Sequence, residues 1–452
     1  MNRLIIDFRK NAKKIAASFG TPTYVVYERL LEENYKRFYD SFKENYNKVM
    51  VAYSVKTNYL PAILSILHSK GAGMEVVSGF ELYLALKTGV PPNRIIFNGP
   101  SKTVEELDFA IKSGILLINA DSTSELEKIN ALGNKHGKKI DVGIRVNIET
   151  ITWKKFGIPL EYAQGVLKFA SKLKNIKVRG VQVHIGTDIS DPKPYVWTLD
   201  QLLKLLRKLP DIGIEIDFLD IGGGFPASGV GRWAERDFLI DALPRRLRES
   251  RLRFSMKFLD MLKSEKPMLP YVPTIETFAR RICSKLNEKL NEFGLPTPVL
   301  ILEPGRAIVN TAVTLLVRVV DIKKFKEKLV MVDGGINLAP SLQYEAHRLI
   351  NVTGKGTNFE TVKVAGPLCT EFDILCRRAE VLPVNEGDVI EIFDVGAYSI
   401  CQSVQFIKPR ASVVLVRGNG DIIEVRRREN YEDLICLDVP FDRSNIDGKR
   451  IE

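Results

Sequence analysis

The sequence predicts an α/β fold, a (β/α)8 TIM-type barrel with a C-terminal mainly β domain, and three observations carry that prediction. From about residue 48 to about 306 one unit recurs: a short β-branched run, a polar or glycine turn, then a stretch with apolar residues three and four apart. Polar and reactive residues gather at the C-terminal ends of these runs, where a barrel of this kind builds its site. After Arg306 the texture changes to strand-like runs separated by Gly, Pro, Asn and Asp turns.

Taken in order, residues 1–43 hold a helix, "DFRKNAKKIAASFG", and a strand, "PTYVVY", and are expected to join the β domain. The barrel is expected over 44–306. Its strands are read as "KVMVAYSV" (48–55), "MEVV" (74–77), "RIIF" (94–97), "LLINA" (116–120), "DVGIRVN" (141–147), "VRGVQVH" (178–184), "EIDFLDI" (215–221) and "VLILEP" (299–304). Between them lie helical patterns such as "PAILSILHSKG", "GFELYLALKTG" and "TSELEKINALGNKHG", the last two closing on glycine. The interval between the seventh and eighth strands is long. It carries two basic helical stretches joined by "SEKPMLPYVPT", so a helical insertion is expected over about 227–298, and residues 307–452 are read as the β domain.

Composition excludes several classes. A chain of 452 residues, 45% hydrophobic, can bury a sizeable core without staples. Its longest apolar runs, such as "AVTLLVRVV" (312–320), fall short of the roughly 20 residues of a membrane helix, and the N-terminus carries no signal-peptide core, so a cytoplasmic protein with no membrane partner is expected. The five cysteines form no CxxC pair, which argues against a disulfide framework or zinc site. The net charge of +11 is spread among acids, as in "KKFKEKL". Only "RRLRESRLRFSMK" and "RRR" are dense, so these are read as solvated faces or subunit contacts and no nucleic-acid partner is expected.

Reading the strand ends gives Lys56, Glu75, Asn98, Asn119, Arg145, Asn147, His184, the triplet Gly222, Gly223 and Gly224, then Glu303 and Arg306. Period-two alternation turns Ala52, Ser54 and Lys56 inward, placing Lys56 at the barrel mouth. Partial desolvation there would favour its neutral amine, available for imine formation with an aldehyde. Taken alone, Lys56 reads more readily as a strand-end side chain reaching water. "DIGGGFP" offers consecutive backbone N–H groups for a phosphate, although turns need glycine too. "EPGRAIV" sets Glu303 to meet a ring nitrogen and Arg306 to grip a carboxylate, or else makes a rim ion pair. "VHIGTD" supplies a flat ring, His184, and a hydroxyl, Thr187. Together these are the requirements of pyridoxal 5'-phosphate.

"YSVKTN", "EVVSGFEL", "VHIGTD", "LDIGGGFP", "EPGR", "GPLCTEFD" and "DVGAY" fall in the order of the fold-type III pyridoxal-phosphate decarboxylases, and the chain resembles that family from about residue 20 to about 410. Within the group "GFELYLALKTGVPPNRIIFNGPSKT" and "GPLC" look most similar to diaminopimelate decarboxylase. The resemblance implies the alanine racemase and ornithine decarboxylase type of fold, with Lys56 bonded to the cofactor, His184 stacked on its ring and Glu303 at its nitrogen. It also implies that Gly222 to Gly224, and Glu303, Pro304, Gly305 and Arg306, hold the phosphate, with Tyr398 touching phosphate or substrate. Cys369 from a partner subunit would protonate Cα, which makes a homodimer the active unit. Tyr344, Glu371, Arg306 and Tyr398 are the expected substrate contacts.

Three departures bear on the substrate. Glu75 stands where the family has Asp, and Thr370 separates Cys369 from Glu371. Pro340 stands four residues before Tyr344, where the family's distal arginine belongs. A decarboxylase of another diamino acid or carboxylated amino-acid derivative is the alternative. Glu303 argues against a racemase, and Lys56, Glu303 and Cys369 together argue against a non-catalytic homologue.

Overall fold

A computed structural model describes residues 2–148, 155–227, 231–232, 272–343 and 345–438, with side chains described from Phe8 onward. Helix α1 (Asn2–Phe19) precedes strand β1 (Thr23–Tyr27), and α2 (Glu28–Lys43) leads into the barrel. The barrel strands are β2 (Val49–Ser54), β3 (Gly73–Val76), β4 (Ile95–Phe97), β5 (Leu117–Ala120), β6 (Ile140–Asn147), β7 (Ile176–Gln182), β8 (Phe218–Asp220) and β9 (Val299–Leu302). Each pairs in parallel with the next, and β9 pairs with β2, so the ring closes as expected.

Alternation sorts the side chains into two layers. Met50, Ala52, Ile96, Leu117, Phe218 and Ile301 pack together in one cluster. Val51, Tyr53, Met74 and Val76 instead join the larger core formed with the surrounding helices. Helices start where a side-chain oxygen can take an orphan amide. Ser78, Thr103 and Ser122 each accept the N–H three residues on, at 3.2 Å, and each cap contributes about 1 kcal/mol.

Two expectations are amended by this geometry. The first strand ends at Ser54, and Val55–Thr57 forms a 3₁₀ turn, so Lys56 stands on a turn rather than in the strand. The turn is tied from outside the sheet. The Ser54 amide donates to the Pro304 carbonyl (3.2 Å), and the Thr57 carbonyl accepts the Tyr398 amide (2.9 Å) and the Cys401 thiol (3.1 Å). The second amendment concerns the long interval after β8. Most of the expected insertion, residues 233–271, lies outside the described residues. Its C-terminal part, the helix Ile275–Phe293, packs on α2 and on the helix Lys193–Leu206, and its buried Phe278, Ile282, Leu286 and Leu290 make it a helix of the barrel wall.

The second domain is a nine-stranded sheet. Strand β1 lies inside it, antiparallel to Val313–Lys324 and parallel to Ser412–Val416. Helix α2, although within the first 43 residues, packs on the barrel: Arg37 bonds Glu276 through both guanidinium nitrogens, at 2.7 and 3.0 Å. Among the described residues no helix is long and apolar enough to cross a membrane.

Candidate active site

At the C-terminal mouth of the barrel lies a cavity of about 570 Å³, well within the usual range for a small-molecule site. Lys56, His184, Thr187 and Glu303, read from separate parts of the sequence, line it together. Glu75, Asn98, Arg145 and Asn147 join them, and so does Gln182, which the sequence reading missed. Gln182 closes β7 as a strand-end polar residue, and that was its available signal.

Lys56 Nζ donates to Glu75 Oε2 at 2.6 Å. Glu75 is 1% exposed and also accepts the Ser54 hydroxyl (2.6 Å) and the Asn98 amide (3.0 Å). Burial opposes the Lys56 charge, but the negative charges of Glu75 and Glu303 and the bond to Glu75 outweigh it, and its pKa rises above the ordinary lysine value. The expectation that desolvation would favour the neutral amine is therefore overturned. Two carboxylates within reach decide the sign, although 37% of the side-chain surface stays open to the cavity and moderates the effect. Burial works against the Glu75 charge too, yet Lys56 and the hydrogen bonds from Lys56, Ser54 and Asn98 bring its pKa below the usual carboxyl value.

Glu303, 3% exposed, follows β9 and accepts Asn98 Nδ2 on Oε1 at 2.6 Å. Asn119 donates to Asn98 Oδ1 at 2.8 Å, so the two amides form a relay across the mouth. Gly143 makes room for it: a Cβ there would lie 1.9 Å from Asn119 Oδ1. Burial and then the charge of Glu75 raise the Glu303 pKa. Asp220, outside the cavity lining, accepts the Gly222 amide at 2.9 Å and the Asn119 side-chain amide at 3.5 Å; it belonged to the quoted glycine motif but was not singled out.

The glycine loop is held rigidly. Phe225 stacks on Tyr195 (4.8 Å, 12°) and meets Phe38 edge-on (5.1 Å), while the Tyr195 hydroxyl donates to the Gly223 carbonyl at 2.7 Å. A Cβ on Gly223 would lie 2.4 Å from the Glu303 carbonyl oxygen, and one on Gly224 would lie 2.4 Å from that of Gly186. The Gly223 amide donates to His184 Nδ1 at 3.3 Å, which fixes the proton of the neutral ring on Nε2. Burial, then the charges of Lys56 and Arg145, lower the His184 pKa to about 4. The ring is uncharged at neutral pH.

The remaining expected residues stand around this core. Arg306 Nη1 bonds Glu345 Oε1 at 2.7 Å, its guanidinium lies 5.5 Å from the Tyr398 ring centroid, and its Nε is buried without a hydrogen-bond partner. Pro304 and Gly305 are buried, and a Cβ on Gly305 would strike Thr57 Oγ1. Tyr398 adopts φ 56°, a left-handed conformation, while its amide straps the Lys56 turn. Cys369 and Glu371 are exposed and do not line the cavity of their own chain. Tyr344 lies outside the described residues.

Pyridoxal phosphate fits this arrangement on the structure's own terms. A primary amine and a buried carboxyl both line the cavity, while Gly222 to Gly224 pack beside it without lining it, the Gly222 and Gly223 amides being held by Asp220 and His184. The unpartnered Arg306 Nε–H is a buried donor suited to an anion.

A family profile described as "Pyridoxal-dependent decarboxylase, pyridoxal binding domain" matches residues 31–239. The chain is 31% identical to a diaminopimelate decarboxylase of Aquifex aeolicus over 438 residues, covering 94% of this chain and 93% of that one. It is 33% identical to the enzyme of that name from Methanothermobacter thermautotrophicus, again covering 94% and 93%. The crystal structure of diaminopimelate decarboxylase from Methanocaldococcus jannaschii superposes with a TM-score of 0.82 at 32% identity, covering 94% of both chains. A lysine/ornithine decarboxylase of Vibrio vulnificus shares the fold at a TM-score of 0.71 and 22% identity.

Proposed function

The chain belongs to the pyridoxal-dependent decarboxylases, as a carboxy-lyase that uses pyridoxal phosphate on a small amino-acid substrate, and from that premise we propose that it converts meso-diaminopimelate to L-lysine and carbon dioxide. The single observation carrying the reading is that Lys56, His184 and Glu303 face one cavity at the barrel mouth. Its substrate follows the relatives named diaminopimelate decarboxylase, one of which was crystallised with L-lysine.

In this reading Lys56 would hold the cofactor through its aldehyde, His184 would stack on the ring and Glu303 would pair with the ring nitrogen. Gly222 to Gly224, Gly305 and Arg306 would hold the phosphate, with Thr187 and Tyr398 as further contacts. The cofactor, when bound, supplies an electron sink for the charge left on Cα as carbon dioxide departs. The residues of the chain do the rest. Glu303 would keep a proton at the ring nitrogen and uncharged His184 would cover the ring without competing for that proton, while Glu75 balances the Lys56 amine. Val77, Ile148 and Ile185 give the cavity apolar walls.

The proton that replaces the carboxylate requires an acid, and Cys369 is proposed for it. Because Cys369 is exposed and absent from the lining of its own cavity, the acid would come from a second copy, and the active unit is a homodimer. Tyr344, Glu371 and Arg306 are the proposed contacts to the distal part of the substrate.

Carbon dioxide release measured over meso-diaminopimelate, lysine, ornithine and arginine tests the assignment. Turnover of the first is expected. Turnover of another with none of the first would overturn the substrate and favour the diamino-acid alternative, to which the Pro340–Gln343 turn at the distal-arginine position points.

A further inference from the structure

Lys102 lies in the loop after β4 with 1% of its side chain exposed, and it does not line the cavity. Its Nζ donates to the Gly99 carbonyl at 2.7 Å and to the Asn119 carbonyl at 3.0 Å, and it pairs with Glu125 Oε1, on the helix Thr123–Lys135, at 2.7 Å. An ammonium uses all three of its protons on these partners. A neutral amine facing a protonated Glu125 would still have two for the carbonyls, so the clamp does not depend on which of the pair holds the proton.

Both carbonyls belong to segments that carry amides of the site. Gly99 follows Asn98 and lines the cavity with it. Asn119 donates to Asn98 Oδ1 at 2.8 Å, and Asn98 Nδ2 donates to Glu303 at 2.6 Å and to Glu75 at 3.0 Å. Both protons of the Asn98 amide are thereby committed, so a small displacement of its backbone lengthens two bonds to carboxyl groups at once. The loop has little slack: Gly99 adopts φ 111°, and a Cβ there would lie 3.1 Å from the Val77 carbonyl oxygen. Lys102 bridges the main chain on both sides of the Asn119–Asn98 bond.

We infer that Lys102 is a positioning residue: by tying Gly99 to Asn119 it holds the Asn98 amide where it serves Glu75 and Glu303 at the same time. The inference rests on the reading in which Lys56 and Glu303 hold pyridoxal phosphate. Without Nζ two buried carbonyls lose their donor, Asn98 loosens, and Glu303 loses the amide and becomes more basic.

Backbone hydrogen exchange in the apoprotein tests the clamp. In Lys102→Met the amides of residues 97–103 should exchange at least about tenfold faster than in the wild type. Glu125→Gln keeps an acceptor for Nζ and removes only the charge, so it should leave them unchanged. The holoprotein tests what the clamp does. In K102M the absorbance of bound pyridoxal phosphate, titrated against pH, should shift its midpoint by at least about threefold in proton concentration, in the same direction as in Asn98→Ala. The double variant K102M/N98A should move no further than N98A. Unchanged exchange in K102M overturns the clamp. Faster exchange with an unmoved midpoint leaves Lys102 a structural lysine and overturns its positioning role. A midpoint displaced as far in E125Q as in K102M overturns it too, by assigning the effect to the ion pair. Should K102M not fold, Lys102→Met combined with Glu125→Leu, which leaves no unpaired buried charge, takes its place in both arms. If pyridoxal phosphate does not bind the wild type, the functional reading fails, while hydrogen exchange still decides whether Lys102 holds the loop.

Discussion

Lys56 and Glu75 form a 2.6 Å ion pair in which the cation stands on a 3₁₀ turn and the anion inside a barrel strand. The carboxylate does more than balance a charge, because it reverses what burial alone would do to the amine. Replacing Glu75 by Gln keeps shape and removes that charge. The pKa of Lys56 should fall by about one unit or more, about 1.4 kcal/mol. The pH dependence of covalent cofactor attachment to the apoprotein, followed by absorbance, should shift to lower pH by that amount. An unmoved profile would mean that Glu75 does not control the amine.

His184 makes a second prediction about pH. Its folded pKa, about 4, lies below the ordinary histidine value, so the unfolded chain binds a proton that the folded chain excludes. Stability from this residue is complete above about pH 6.5 and is lost as pH falls toward 4. Between pH 8 and pH 5 the loss should be about 2 kcal/mol. Carboxylates contribute slopes of their own, so the measurement is the difference between wild type and His184→Phe in urea unfolding of the apoprotein. The variant should lack that component while keeping a ring for stacking. Parallel curves would contradict a neutral His184.

The barrel was legible because each strand is a β-branched run followed by a turn and a helical pattern, and closure follows from the count of units. The site was legible at Lys56, His184 and Glu303 because strand ends converge on one mouth. The Lys56 charge state was not, since it depends on Glu75 and Glu303, which lie 19 and 247 residues away along the chain (75 − 56 and 303 − 56). Asp220 escaped for a related reason. Period-two alternation places it facing inward, but only the folded barrel brings it to the Asn119 amide, 101 residues away along the chain. The 3₁₀ turn at Lys56 is likewise set by bonds from Tyr398 and Cys401, remote in sequence.

Gly223 yields a steric prediction. A methyl group there would lie 2.4 Å from the Glu303 carbonyl oxygen, and Phe225 and Tyr195 hold the glycine loop so that it cannot retreat. Gly223→Ala should cost about 1–3 kcal/mol in stability and weaken pyridoxal phosphate binding at least about tenfold. Gly165→Ala is the control, because nothing lies within 4 Å of its Cβ and the helix Leu160–Ser171 gains about 1 kcal/mol from alanine. Equal effects of the two substitutions would show that the loop is not packed as described.

The last prediction concerns the acid. The loop carrying Cys369 is shaped by Asp373, 2% exposed, whose carboxylate accepts the Ile336 amide at 2.8 Å and the Leu368 amide at 2.7 Å. Two charge-assisted bonds to one side chain fix the residue just before the thiol. Cys369→Ala should lower kcat about 100-fold or more, as expected for loss of a positioned proton donor, and leave cofactor absorbance intact. Asp373→Asn should lower kcat less, with Cys369 still present but loosely held. Whether the thiol acts on its own chain's cavity or on another's is decided by mixing. Inactive Lys56→Ala and Cys369→Ala chains, dissociated and reassembled together, should regain about one quarter of wild-type activity, because half the dimers are hybrids with one site native at both positions. Recovery of none would place the thiol and the lysine in the same chain's site and remove the need for a dimer.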